Sequence, residues 1–262
     1  MWKAIIAAAL ALGTAGASAA AELKSETVAA FDNYIRTTEA RIADQASGKR
    51  SFLWTDESAQ RRDLVRKGQI VAQPWNSRGE VQVPGGLIHD WIGSVFIPGV
   101  SLDKVLAMVQ DYDNHYKIYQ PEVIKSRTLQ HDGNHYKIYL RLVKKKYITA
   151  VLDTEHDVNY YPLSATRLHS RSYSTRIAEL ENAGERDERE LPGGEGRGFL
   201  WRLYSYWRFE ERDGGVYLEC EAVSLTRDIP TGFGWLIEPI IRDLPKDSLM
   251  RTLEGTRQAL KK

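Results

Sequence analysis

From residue 86 to residue 260 the chain reads as one apolar run, one short helix, six strand-like runs and one long closing helix. This order constrains the fold more than any single motif. Consecutive strands joined by tight turns pair antiparallel, and a lone terminal helix must lay its apolar stripe on one face of the resulting sheet. The expected class is α+β: a curved antiparallel sheet wrapped around the C-terminal helix, with a helical arm before it. A sheet gripped by one helix often curls around a cavity, so holding a ligand is the expected task.

The runs themselves are specific. Leu87–Ile97 is the apolar strand, and the helix over Ser101–Gln110 buries Leu102, Val105, Leu106 and Val109. Strands follow at Val123–Leu129, Tyr136–Leu142, Tyr147–Val158, Thr166–Ile177, Phe199–Glu210 and Val216–Arg227. Asp132-Gly133 and Asp213-Gly214 mark hairpin turns, and the glycine- and charge-rich 181–198 stretch reads as an exposed loop. The last helix spans roughly Leu236 to Leu260.

Alternation sorts each strand into two faces. The expected inward set holds Tyr136, Ile138, Leu140 and Leu142; Ile148, Ala150, Leu152 and Thr154; Leu168, Ser170, Ser172 and Ser174. On the final hairpin it holds Phe199, Trp201, Leu203, Ser205, Trp207 and Phe209, with Cys220 opposite. The outward set carries charges of both signs, including Arg141, Asp153, Arg208, Glu219 and Glu221, which read as cross-strand pairs on a solvated surface. Three alternating serines are unusual for a packed core. Either backbone groups satisfy Ser170, Ser172 and Ser174, or they line a space that holds water or ligand. The glycine-rich loop before the last helix carries Phe233 and Trp235, as lid residues or as anchors of the helix.

The remaining segments frame this unit. Residues 1–21 have a basic start, an apolar Ala4–Leu12 stretch and small-x-small cleavage signals, and read as a signal peptide, so export to a periplasm or the medium is expected. Residues 22–85 form the arm. Val28, Phe31, Ile35, Thr38 and Ile42 recur at helical spacing, as a packing face or a partner-binding one. The domain proper is 86–262. Loss of residues 1–21 removes one lysine and no acid, leaving 35 basic against 35 acidic residues. A neutral protein has no net field for nucleic acid, although the 144–146 lysine run offers transient contact with an anionic membrane. The single cysteine excludes an internal disulfide.

Motifs for chemistry are sparse. His131 and His135 have metal-like spacing but sit on a hairpin, and no carboxylate or thiol set completes a site, so no metal or other cofactor is expected. Neither a Gly-x-Ser-x-Gly elbow nor a His-Glu-x-x-His helix is present. His156 is the best isolated acid–base candidate, with Tyr136 as an alternative.

The element order, together with Phe96-Ile97-Pro98-Gly99-Val100-Ser101-Leu102-Asp103, Asp111-Tyr112-Asp113, Tyr119-Gln120-Pro121-Glu122-Val123 and Arg227-Asp228-Ile229-Pro230, resembles the START-like superfamily over about Gly86–Leu260. That superfamily includes polyketide cyclase-like and coenzyme-Q-binding-like proteins. The resemblance implies a helix-grip fold with a cavity between sheet and terminal helix for lipids, sterols or polycyclic aromatics. It supplies no universal catalytic residue. The leader and the arm depart from the pattern of its many cytosolic members. The expected function is thus an exported carrier of a hydrophobic small molecule. A cyclase- or hydrolase-type enzyme using the same cavity, and an interaction protein working through the first helix, are the alternatives. Expected ligand-facing residues are Tyr136, Ile138, Leu152, Ser170, Ser172, Ser174, Trp201, Leu203, Trp207, Phe233 and Trp235.

Overall fold

The computed structural model describes residues 22–76, 79–145, 149–228 and 234–261, with the backbone alone over 234–243. Four elements come first: α1 (Ser25–Ala46), α2 (Ala59–Arg66), β1 (Val71–Pro74) and β2 (Glu80–Val83). Then come β3 (Gly86–Pro98), α3 (Leu102–Val109) and α4 (His115–Ile118). The strands β4 (Val123–Asp132), β5 (His135–Lys145), β6 (Thr149–Ser164) and β7 (Arg167–Glu181) follow, with a two-residue β8 (Arg189–Glu190). The hairpin of β9 (Arg202–Arg212) and β10 (Gly215–Arg227) leads to α5 (Gly234–Leu260). The sheet runs β1-β3-β10-β9-β7-β6-β5-β4, with β2 also on β3 and β8 on β7. The pairings are antiparallel. The α+β class and the helix-on-curved-sheet arrangement are those expected from the sequence.

The final helix is positioned by what it can approach. A Cβ at Gly93 on β3 would lie 2.8 Å from Leu253 Cδ1 and 3.3 Å from Leu249 Cδ2. The bare glycine therefore lets the helix seat these leucines close against the sheet. A Cβ at Gly255 would lie 3.1 Å from the Ile118 carbonyl oxygen, so this glycine brings the helix against α4. Leu249, Leu253 and Leu260 are buried here with Val95, Ile97 and the Leu102–Val109 face of α3. The N-cap Ser101 accepts from the Lys104 N–H at 3.3 Å and starts α3 at the end of this core.

Behind β3, β9 and β10 the other face of the sheet is not solvated, contrary to the charge pattern of its strands. Phe31, Ile35 and Ile42 of α1 bury against Ile88, Tyr206, Val223 and Leu225. Phe52, Leu53 and Val65 cover Phe96 and Tyr217 beside them. The stripe expected as a packing face, with partner binding as the alternative, packs on the chain's own sheet. Beneath this cover lie charges. Arg208 is 1 % exposed, and Glu219 and Glu221 are wholly buried. Arg208 Nε donates to Glu219 at 3.2 Å, and its Nη1 donates to Gln45 Oε1 of α1 at 3.1 Å. Arg41 of α1 clamps both oxygens of Glu221. Glu219 also accepts the backbone N–H groups of Trp54 and Thr55 at 2.8 and 2.7 Å. The cross-strand pairing of Arg208 with Glu219 is as the alternation suggests. Its burial is the correction, because a helix from elsewhere in the chain covers it.

Two further details alter the alternation. β9 begins at Arg202 rather than residue 199, so Trp201 lies before the regular strand and packs with Phe31 and Val223 on the α1 side. Glu155 pairs with Arg176 while His156 pairs with Ser174, which leaves Thr175 as a bulge on β7.

Removal of one member of the buried ion network leaves the others uncompensated. Arg208→Met is expected to cost about 3–5 kcal/mol, read as a lowered urea midpoint. A variant within about 1 kcal/mol of the parent, on the scale of an exposed pair, would contradict the burial.

Candidate functional site

Between the inner face of the sheet and α5 lies a cavity of about 260 Å³. Its burial pattern is the inverse of an ordinary core. Leu203, Ser205 and Trp207 on the inner face of β9 are only half buried, while Tyr206, Arg208 and Glu210 behind them are buried. The inner face opens on a space and the outer face is packed. A packed interior holds few voids larger than a water molecule. At roughly 30 Å³ per water, this one has the volume of several.

The sheet supplies the wall through inward positions: Ile138, Leu140 and Leu142 of β5, His156 and Val158 of β6, Ser170 and Ser172 of β7. The final hairpin adds Leu203, Ser205, Trp207, Cys220, Ala222 and Ser224. α5 roofs it with Leu244, Ser248, Leu249, Arg251 and Thr252. The 244, 248 and 251 positions lie at i, i+4 and i+7, so one helical face carries all three.

The serines divide. Ser174 Oγ accepts the Leu203 N–H at 3.0 Å and belongs to the sheet. Ser170 and Ser172 face the cavity, and among the described residues neither hydroxyl has a hydrogen-bond partner. Of the other expected positions, Ile138, Leu203 and Trp207 line the cavity. Tyr136 packs at its margin against Tyr112 and Tyr160, with ring centroids 5.3 and 5.7 Å away. Leu152 is buried with Val123, Leu142 and Ile177 behind the wall. Trp201 faces the opposite side of the sheet. Phe233 lies outside the described residues, and of Trp235 only the helical backbone is described.

The polar groups at the cavity fall into two kinds. The first is neutral. His156 Nε2 lies 3.0 Å from the Thr154 hydroxyl, and His115 Nε2 lies 3.1 Å from the Val109 carbonyl oxygen. Burial lowers both imidazoles to about 4, so both are uncharged near neutral pH. Tyr112 and Tyr160 share a 2.6 Å hydrogen bond, and burial raises both phenols. The Tyr119 hydroxyl, 3.1 Å from Thr256, is pushed up to about 12 by burial. The Cys220 thiol is likewise raised by burial. These groups are poor proton donors at pH 7, and among the described residues no carboxylate hydrogen-bonds to His156 to orient it as a base.

The second kind is charged and sits in one corner. Lys144 Nζ donates to Glu122 Oε2 and to Ser248 Oγ, both at 2.7 Å. Arg251 Nη1 donates to Glu122 Oε1 at 2.7 Å. Burial alone would raise the Glu122 carboxyl, but Lys144, Ser248 and Arg251 outweigh it and hold it below the usual range. Glu122, Lys144 and Arg251 were not among the expected site residues. A signal was present: the inward phase of Leu140 and Leu142 continues to Lys144.

The candidate metal pair is divided by other contacts. His131 Nε2 lies 2.9 Å from the Gly133 carbonyl oxygen, and His135 Nε2 lies 2.8 Å from Asp157. Among the described residues no group of three or more His, Cys, Asp or Glu side chains is placed to hold a metal ion. No described helix is long and apolar enough to cross a membrane.

No family model matches the sequence, and no curated protein matches it. Solved structures with a similar backbone path do exist. One is a STAR-related lipid transfer protein fragment from Xanthomonas axonopodis, at 16% identity, 70% of this chain, 99% of that one and a TM-score of 0.49. Another is the Zhui aromatase/cyclase from a Streptomyces species, at 12% identity, 66% and 94% coverage and a TM-score of 0.46. A START superfamily protein from Mycobacterium smegmatis is similar at 10% identity, with 74% and 98% coverage and a TM-score of 0.42.

The two cavity histidines, together with His169, whose imidazole burial also lowers to about 4, set a pH dependence. Their folded values lie below the ordinary one near 6.5, so the unfolded chain takes up their protons first. Their stabilisation is complete above about pH 6.5 and is lost as pH falls toward 4. Each cavity histidine contributes at most on the order of 3 kcal/mol. Thermal melts across this window are expected to fall steeply in the parent and less in His156→Gln. Equal slopes would contradict a buried neutral His156.

Proposed function

We propose that this protein binds one hydrophobic small molecule between its sheet and its last helix, and carries rather than transforms it. The supporting observation is the inverted burial along β9: Leu203, Ser205 and Trp207 are half buried while Tyr206, Arg208 and Glu210 behind them are buried. Apolar side chains left beside an internal space gain by its filling with apolar matter. The free hydroxyls of Ser170 and Ser172 are handles for one polar group on the ligand. The volume, about 260 Å³, is just under the ~300–1,000 Å³ usual for small-molecule pockets. It suits a single acyl chain or a compact ring system better than a two-chain lipid.

Carriage is favoured over catalysis because the buried imidazoles and phenols are held neutral and bonded to hydroxyls and carbonyl oxygens. The leader-like residues 1–21 support export, and on this reading the carrier works in a periplasm or outside the cell. Handing over an apolar cargo brings the cavity mouth to a membrane transiently.

Ala222 lines the cavity on β10 and is half buried. Ala222→Phe is expected to fill the space, keep the fold by circular dichroism, and weaken binding of the fluorescent probe N-phenyl-1-naphthylamine by at least tenfold. Unchanged probe affinity in a folded Ala222→Phe protein would remove the cavity from consideration.

A further inference from the structure

We infer that the cargo is an amphiphile with an anionic head, a carboxylate or a phosphate monoester, held by Lys144 and Arg251 at the charged corner of the cavity; this rests on the binding reading above.

The cavity's charge is concentrated rather than dispersed. Of its lining groups, Glu122, Lys144 and Arg251 are the ones charged near neutral pH among the described residues, and they touch one another. Two cations against one carboxylate leave the corner one positive charge in excess. Asp247 lies 4.0 Å from Arg251 Nη2, but both side chains are nearly half exposed, so solvent screens that pair. Glu122 and Lys144 are far less exposed, at 12 % and 18 %.

The donors are not exhausted. Lys144 Nζ carries three protons and, among the described residues, uses two, on Glu122 and Ser248. Arg251 carries five N–H donors, and among the described residues one nitrogen, Nη1, makes a hydrogen bond. A carboxylate or phosphate oxygen arriving from the cavity meets unused donors on the two cations, while the Ser248 hydroxyl is engaged with Lys144 and Glu122. Charge-assisted bonds of this kind are about twice as strong as neutral ones. A cationic head meets the opposite field, and a neutral alcohol recovers only the weaker neutral bonds.

The geometry also orients the ligand. Arg251 is 49 % exposed, so this corner is where the cavity meets solvent. Away from it the lining is apolar with uncharged hydroxyls, among them Ile138, Val158 and Phe209. An amphiphile seated head at Arg251 and tail along β5, β6 and β9 leaves its charge partly hydrated. That avoids the full cost of burying an ion.

The test is displacement of N-phenyl-1-naphthylamine by four ligands of one chain length: dodecanoate, dodecyl phosphate, dodecanol and dodecyltrimethylammonium, each below its micelle concentration. The parent is expected to prefer the two anions over dodecanol by about 10- to 100-fold and to bind the cation most weakly. The relative affinities of carboxylate and phosphate separate a fatty-acid cargo from a phosphate-headed one. Arg251→Gln, at a half-exposed position, and Lys144→Gln are expected to cut that preference to within about threefold while dodecanol affinity holds. A clasp that only fastened α5 to the sheet would lower all four affinities together. Equal affinity for anion and alcohol in the parent, or a preference unchanged in both variants, overturns the inference and leaves the binding reading standing. Failure of every ligand to displace the probe overturns both.

Discussion

Everything on the inner side of this molecule depends on where the last helix is allowed to touch the sheet. Gly93 has no side chain, so Leu249 and Leu253 settle against β3. Gly255 does the same at α4. These approaches anchor the C-terminal half of α5. From Leu244 to Thr252 the helix spans β7 and β9 instead of meeting them, and the gap is the cavity. Touch on β3 and clearance over β7 and β9 are one constraint: a rigid helix pinned on one part of a twisted sheet cannot follow it everywhere.

A sheet that leaves one face partly unpacked needs stability from elsewhere. Here the reverse face supplies it. Residues that precede the sheet in sequence cover the back of β3, β9 and β10 with an apolar layer and a buried ion network. Buried ion pairs are weak sources of net stability but are intolerant of misplacement. Glu219 holds Trp54, Thr55 and Arg208 at once, which fixes one register of the N-terminal layer on the sheet. The cavity face is thereby free to be loose because the opposite face is not.

Much of this was legible in the chain, and the failures have physical causes. The alternation of Leu203, Ser205, Trp207 and Phe209 located the cavity wall on β9 because side chains in a regular strand keep a period of two. It failed at Trp201, which precedes the strand. The three serines looked equivalent, but the one beside the Thr175 bulge, Ser174, accepts a backbone N–H, while the hydroxyls of Ser170 and Ser172 have no partner among the described residues. The charges of β9 and β10 read as solvated because nothing local reveals which surface a distant amphipathic helix will cover. Lys144 was hidden in a run of three lysines whose composition suggested a strand end, although its phase pointed inward. Glu122 and Arg251 are 129 positions apart and meet only in three dimensions.

The most direct measurement is native mass spectrometry of the protein purified without detergent and then mixed with one equivalent of dodecanoate. The account predicts a single 1:1 complex that survives desolvation in the parent and is missing when Ala222→Phe fills the cavity. Equal adducts on both proteins, or a ladder of several bound molecules, would mean that the space beneath α5 is not a binding site.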